Sequence, residues 1–195
     1  MLNICIQNLG MYNEGILLFK WLTLPATEEE IDKALSEIRI CHTDVDGNEV
    51  RFTDEFGCPY EEMHIPDWEC DIAGIDYNEW ASIDYYNEIA EQLDDLSEYD
   101  KHWLNAYIEA TNECFDNALE DYQDNSRYWD GMTTSEVAVE IADEQMECMI
   151  PMSTGYGCDR STKAALEWLQ TYFDYDAYER DLDLFETNDG VIETW

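Results

Sequence analysis

LNICIQNLGMYNEGILLFKWLTLP, residues 2–25, decides the fold class. Leu2, Ile4 and Ile6 alternate with polar neighbours, the period of a strand with one buried face. NLGMYNEG places Asn and Gly where a chain reverses. A second apolar run then continues to Pro25, so the stretch predicts a β-hairpin. TEEEIDKALSEI follows: Thr27 and Glu30 have capping-box spacing, and Ile31, Ala34, Leu35 and Ile38 mark one helix face. RICHTDVDGNEVRFTDE reads as a second hairpin, turning at Asp46-Gly47. Residues 1–76 are therefore expected to form an α+β module of three or four strands and one helix.

Near Tyr77 the apolar period becomes helical. Trp80, Ile83, Tyr86, Ala90 and Leu93 form one stripe; Trp103, Leu104, Tyr107, Ile108 and Thr111 form a second. Phe115, Ala118, Leu119 and Tyr122 form a third. TTSEVAVEIADEQMECM opens on a Thr133/Glu136 capping box, and STKAALEWLQTYF reads as another helix. LDLFETNDGVIETW predicts a closing hairpin around Asn188-Asp189-Gly190. MSTGYGCDRS, 152–161, reads as a loop. The expected order is an N-terminal sheet plus helix (1–76), a middle helical bundle (77–113) and a C-terminal mixed α/β module with a closing hairpin (114–195).

The chain of 195 residues holds 47 acidic and 9 basic residues, net −38. Residues 1–40 carry only −3 of that charge; residues 41–195 carry −35. Seven Trp and thirteen Tyr accompany the acids. A disordered acidic tail is poor in aromatics, so the whole chain is expected to fold. YFDYDAYERDLDLFETNDG, 172–190, shows the mixture: seven acids, five aromatics and one base, Arg180. Net charge of this size opposes compaction and adds nothing to fold specificity. It repels nucleic acid and anionic membranes, and favours a basic partner, cations or a very salty solvent. No basic segment joined to an apolar one marks a signal peptide, and no apolar run reaches about 18 residues. Seven scattered cysteines without a C-x-x-C pair read as reduced thiols in a cytosol.

Chemical motifs are sparse. DVDGNEVRFTDE (44–55) sets Asp44, Asp46, Asn48 and Glu55 at positions 1, 3, 5 and 12 of a calcium loop, but Glu49 stands where that loop needs Gly, and the flanks read as strands. His42, His64 and His102 lack zinc spacing. There is no nucleophile elbow, P-loop or dinucleotide fingerprint, and neither a metal nor another cofactor is expected. A hydrolase could use two carboxylates, but 47 candidates make any pair uninformative. Acids instead fill whole helix faces. Asp84, Glu88, Glu91, Asp94, Asp95 and Glu98 lie opposite the first apolar stripe with no base among them, although exposed helices gain from mixed signs.

Halophilic adaptation predicts acid everywhere, and residues 1–40 are exempt. A calcium buffer predicts repeated loops, and there are none. Mimicry of DNA accounts for both features. A duplex carries one charge per ~1.7 Å, so this charge matches roughly 65 Å, or about 19 base pairs. A compact chain of this length is only about 42 Å across, so charge at DNA density calls for an elongated row of modules. Aromatics then anchor the scaffold, and carboxylates on short stems are displayed.

IQNLGMYNEGILLFKWLTLP resembles the N-terminal motif of the ArdA antirestriction proteins, which runs strand, ANLGKYNEG, strand, then Pro. YFDYDAYERDLDL resembles their closing DYxAYxRDL segment. Residues of about 41–165 match in character only. The resemblance implies a non-catalytic DNA mimic carried by mobile elements in a bacterial cytoplasm, with three small domains in a curved row and a dimer made by the C-terminal domain. It implies binding to the DNA groove of type I restriction–modification enzymes, on the methyltransferase–specificity core. The phosphate-mimicking acids are then expected at Asp84, Glu88, Glu91, Asp94, Asp95 and Glu98, at Asp116, Glu120, Asp121 and Asp124, and at Glu140, Asp143, Glu144 and Glu147. Asn8, Gly10, Asn13 and Gly15 are expected to shape a loop. The alternatives are a carboxylate-dependent hydrolase and an acidic calcium-binding protein.

Overall fold

The computed structural model describes residues 1–149 and 160–195 and is α+β, with eight helices and three small antiparallel sheets among them. Of the expected loop at 152–161, residues 152–159 lie outside the described residues, while Arg160 and Ser161 open a helix. The chain divides into two compact units, Met1–Lys101 and His102–Trp195.

In the first unit β1 (Leu2–Asn8) leads into a short helix, α1 (Leu9–Asn13), and then β2 (Phe19–Leu24). The hairpin is present, with Leu2 opposite Leu24 and Ile4 opposite Leu22. Its connection is more than a turn. Asn8 is fully buried and caps α1 by accepting from Met11 N at 3.0 Å. Its Nδ2 donates to the carbonyls of Ile38 (3.0 Å) and Arg39 (2.9 Å). Three bonds satisfy the amide and tie the hairpin to the helix that follows. Gly10 sits against the Tyr60 ring, where a Cβ would come within 2.5 Å, and Gly15 has φ +83°, a conformation that favours glycine.

The expected capping box opens α2 (Glu28–Glu37): Glu30 N donates to Thr27 Oγ1, and Thr27 N to the Glu30 carboxylate. The second hairpin is β3 (Cys41–Thr43) with β4 (Glu49–Arg51). β5 (Met63–Cys70) pairs antiparallel with β1, giving the sheet order β2-β1-β5. Leu2, Ile4, Ile6, Leu22, Leu24 and Ile65 are buried with Ala34 of α2 and Ile38 at its C-cap; each large aliphatic contributes roughly 1.5–3 kcal/mol by leaving water. α3 (Ile83–Asp94) buries Ile83, Tyr86, Ile89, Ala90 and Leu93. Trp80, expected in this stripe, lies before the helix and is 59 % exposed, because Ser82 accepts from Tyr85 N and starts α3 after it. Asn87 clamps α3 to the end of β2, accepting from Ala26 N at 2.7 Å and donating to Ala26 O at 3.2 Å.

The boundary between units falls inside α4 (Glu98–Thr111). The second unit continues through α5 (Phe115–Asp121), β6 (Ser126–Asp130), α6 (Thr134–Met149), α7 (Arg160–Tyr172), α8 (Tyr175–Glu179), β7 (Leu184–Glu186) and β8 (Gly190–Thr194). β7 and β8 form the expected closing hairpin, and Thr187 N donates to Gly190 O across its turn. β6 was not legible as a strand; it pairs with β8 and makes the order β6-β8-β7. Trp129, Val137, Ile141 and Val191 form the core between this sheet and α6. The Thr133/Glu136 capping box is made.

Candidate functional site

The acids of α3 and of its C-cap, Asp95, occupy the side of the helix that its packing leaves to solvent. Asp84, Glu88, Glu91, Asp94 and Asp95 are all exposed, opposite five buried residues. Asp84, Glu88, Asp94 and Asp95 make no ion pair among the described residues; Glu91 accepts from Asn87 at 3.4 Å. No Lys or Arg occurs between Arg51 and Lys101. Lys101 pairs with Glu98 at 2.7 Å. Asp84/Glu88 and Glu91/Asp95 are like-charge i,i+4 pairs, each costing a few tenths of a kcal/mol in a helix.

In the second unit Asp116, Glu120, Asp121 and Asp124 are exposed on α5 and just after it. The α6 acids differ. Glu140 is half-buried and accepts from Arg127 Nη2 (3.1 Å) and Trp129 Nε1 (2.9 Å). Glu144 takes both Arg127 terminal nitrogens, at 2.9 and 3.1 Å, which holds its carboxyl below the usual range. Asp143 accepts from Tyr175 Oη at 2.7 Å. Burial, then this carboxylate, push the Tyr175 phenol up to about 12. Glu147 is exposed. Of the candidates on α6, Glu140, Asp143 and Glu144 thus also hold the fold, while the α3 set pairs with no base among the described residues. The α3 set and the α5–α6 set belong to different units.

Acids fill first turns, where the helix dipole favours them, but some also sit against it. None of the eight described helices has a base in its last turn. Asp94, Asp121 and Glu147 lie in the last turns of α3, α5 and α6, where a negative charge is disfavoured.

The calcium-like loop is a hairpin turn. Asp44 Oδ1 accepts from the backbone of Asp46 and Asn48, both at 2.9 Å, and these bonds hold its carboxyl low. Among the described residues no cluster of His, Cys, Asp and Glu could hold a metal ion. Glu30, Glu37, Glu136 and Glu179 are likewise held low, each by the hydroxyl, amide or ammonium beside it. A general acid at neutral pH needs the opposite shift. Among the described residues no helix is long and apolar enough to cross a membrane.

The sequence model of the antirestriction protein ArdA matches residues 4–193. The chain belongs to the ArdA family. ArdA proteins are antirestriction proteins that act against restriction enzymes. The match takes in both end motifs and the acidic middle between them. A comparison with curated proteins finds none that matches.

The ArdA motif at the N-terminus has a structural role. Its Asn8 and its glycines build the α1 connection, and its acid, Glu14, accepts from the Tyr60 hydroxyl at 3.1 Å. Arg127 and Trp129 on β6 were missed at the sequence level. SRYWD is too short and too polar at its ends to stand out as a strand.

Proposed function

We propose that this protein is a DNA mimic that occupies the DNA-binding groove of a type I restriction–modification enzyme, on its methyltransferase–specificity core. By competing with DNA there it protects incoming mobile-element DNA in a bacterial cytoplasm. The observation that carries this reading is the α3 face: five exposed carboxylates, set by one buried stripe, with no base between Arg51 and Lys101. Carboxylates on a helix clamped by its apolar side and by Asn87 are a fixed array of anions. Charge at helix C-termini and at i,i+4 costs folding free energy, so a partner with the opposite field is what gives it a use.

In this reading the acids after Phe115 and those of α6 extend the array, three modules follow one another in a row, and two copies joined through their C-terminal parts would match about 38 base pairs. Binding is fast at low salt through electrostatic steering and weakens with salt as the enzyme's own DNA binding does.

The test is displacement of a DNA duplex from a purified type I methyltransferase core, titrated across salt. Stoichiometric, salt-sensitive displacement with neither DNA nor enzyme altered is expected. Failure to displace at low salt from several such enzymes overturns the reading.

A further inference from the structure

The three-stranded sheet of the first unit has a second face. Leu2, Ile4 and Ile6 go to the core, while the alternate residues Cys5 and Gln7 line an open cleft of ≈ 660 Å³. Aromatic rings make its walls. Phe19 and Trp21 come from β2 at one edge of the sheet. At the other edge Trp80 lies over His64 of β5, ring centroids 5.8 Å apart, and Tyr12 meets the same imidazole edge-on at 6.1 Å. These four aromatics keep 40–59 % of their surface open, a concentration of exposed rings that marks a binding site.

Asp67 and Glu79 also line the cleft, and none of its lining residues is Lys or Arg. His64 is buried, and among the described residues its Nδ1 has no hydrogen-bond partner; with the ring proton on Nε2 this atom is an acceptor that lacks a donor there. The wall is built in advance. Ile65 N donates to Glu79 O at 2.8 Å, Trp80 N donates to Asn78 Oδ1 at 3.0 Å, and Tyr77 Oη donates to Ile65 O. Asn78 N donates to Tyr86 Oη at 2.8 Å, which ties the same strap to α3. Little ordering remains to be done on binding.

Ring faces attract cations, and carboxylates accept from their N–H groups. Of the two basic side chains, arginine suits this lining better. Its guanidinium is planar, weakly hydrated, and able to stack on a ring while donating in its plane. An ammonium keeps its water. We propose that this cleft is a docking pocket for one arginine side chain projecting from a basic protein partner. The pocket reads a single guanidinium by stacking, whereas the α3 face presents spread charge, so it does not rest on DNA mimicry.

The test uses the whole chain and three capped peptides, Gly-Gly-Arg-Gly-Gly and its lysine and citrulline counterparts, followed through the indole N–H signals of Trp21 and Trp80. The arginine peptide is expected to shift both signals saturably and to bind at least about threefold tighter than the lysine peptide; citrulline should leave them in place. Trp80→Ala should weaken binding about two- to fivefold, the scale of one exposed cation–π contact. Glu79→Gln, which keeps the packing, should weaken it too. A variant neutralised on α3 should bind the peptide with the same selectivity. Equal response to arginine and lysine that ignores Trp80→Ala would mean diffuse attraction to the acidic surface and would overturn the pocket. So would the absence of any shift at Trp21 and Trp80. Neither result bears on displacement of DNA from a methyltransferase, which reads the acidic faces.

Discussion

Arg127 donates to Glu144 at 2.9 Å while its guanidinium lies 4.4 Å from the Trp129 ring centre. One base on β6 thus holds two acids of α6, since Glu140 takes the same group at 3.1 Å. On α3 no such base exists. The two acidic faces look alike in the sequence and differ in what their charge does.

Arg127→Ala should therefore destabilise the second unit. The paired side chains are 40–54 % exposed, so each pair contributes at most about 1 kcal/mol, and the ring contact about 0.5–1 kcal/mol more. A total loss of about 1–2 kcal/mol is expected in urea unfolding. Arg127→Lys should recover only part of it, because an ammonium cannot bridge both carboxylates in one plane. No loss in either variant would mean that the α6 acids have no structural share.

Tyr175 gives a test at alkaline pH. Its folded pKa, raised to about 12 from an ordinary 10.0, favours the neutral phenol in the fold. That contribution is fully present below pH 10 and is lost as pH rises through about 12. Tyr175→Phe should be less stable than wild type near pH 8, and the gap should close between pH 10 and 12. A gap of constant size across that window would place the Tyr175 effect in packing alone.

Asn8 should tolerate no substitution. Its carboxamide both accepts from Met11 and donates to two carbonyls. Asn8→Ala leaves those groups buried and unpaired, at a cost of about 3 kcal/mol. Asn8→Asp keeps the cap acceptor but turns an anion toward the Ile38 and Arg39 carbonyls, and should be worse than alanine. Thermal unfolding that ranks aspartate above alanine would show that the cap, and not the tie to α2, is what the motif preserves.

Gly190 and Gly47 should respond differently to alanine. A Cβ on Gly190 would overlap the carbonyl oxygen of Trp129, since β8 passes directly beside β6 there. Gly47 has open space and only a φ of +84° to satisfy. Gly47→Ala should cost about 1 kcal/mol; Gly190→Ala should cost several times as much and shift the amide signals of β6 and β8. Comparable losses would mean that the closing hairpin moves aside freely.

Neutralising α3 should move stability and binding in opposite directions. Replacing Asp84, Glu88, Glu91, Asp94 and Asp95 by their amides removes like-charge pairs and acids at the helix C-terminus but also the favourable first-turn charge of Asp84, so the fold should gain no more than about 0.5 kcal/mol. Competition with DNA for a type I methyltransferase should fall far more than the small loss from any one amide. If one single change abolishes competition with the fold intact, a focal site replaces the distributed one.

The sequence by itself determined the α+β class, both outer hairpins, the two capping boxes and the solvent side of α3. These are local properties: period 2 or 3.6, a Thr three residues before a Glu, Asn and Gly at a turn. It also carried the family, through motifs at its two ends. Tertiary structure alone decided which acids are spoken for. Arg127 and Glu144 are seventeen residues apart, and Tyr175 and Asp143 thirty-two; no spacing rule links a strand residue to the helix face that will cross it. The same holds for the cleft. Trp21 is near in sequence to neither His64 nor Trp80, and only the pairing of β1 with both β2 and β5 puts their rings around one space. Local chemistry specifies elements; long-range pairing specifies which side chains share an environment, and so which charges face outward unpaired.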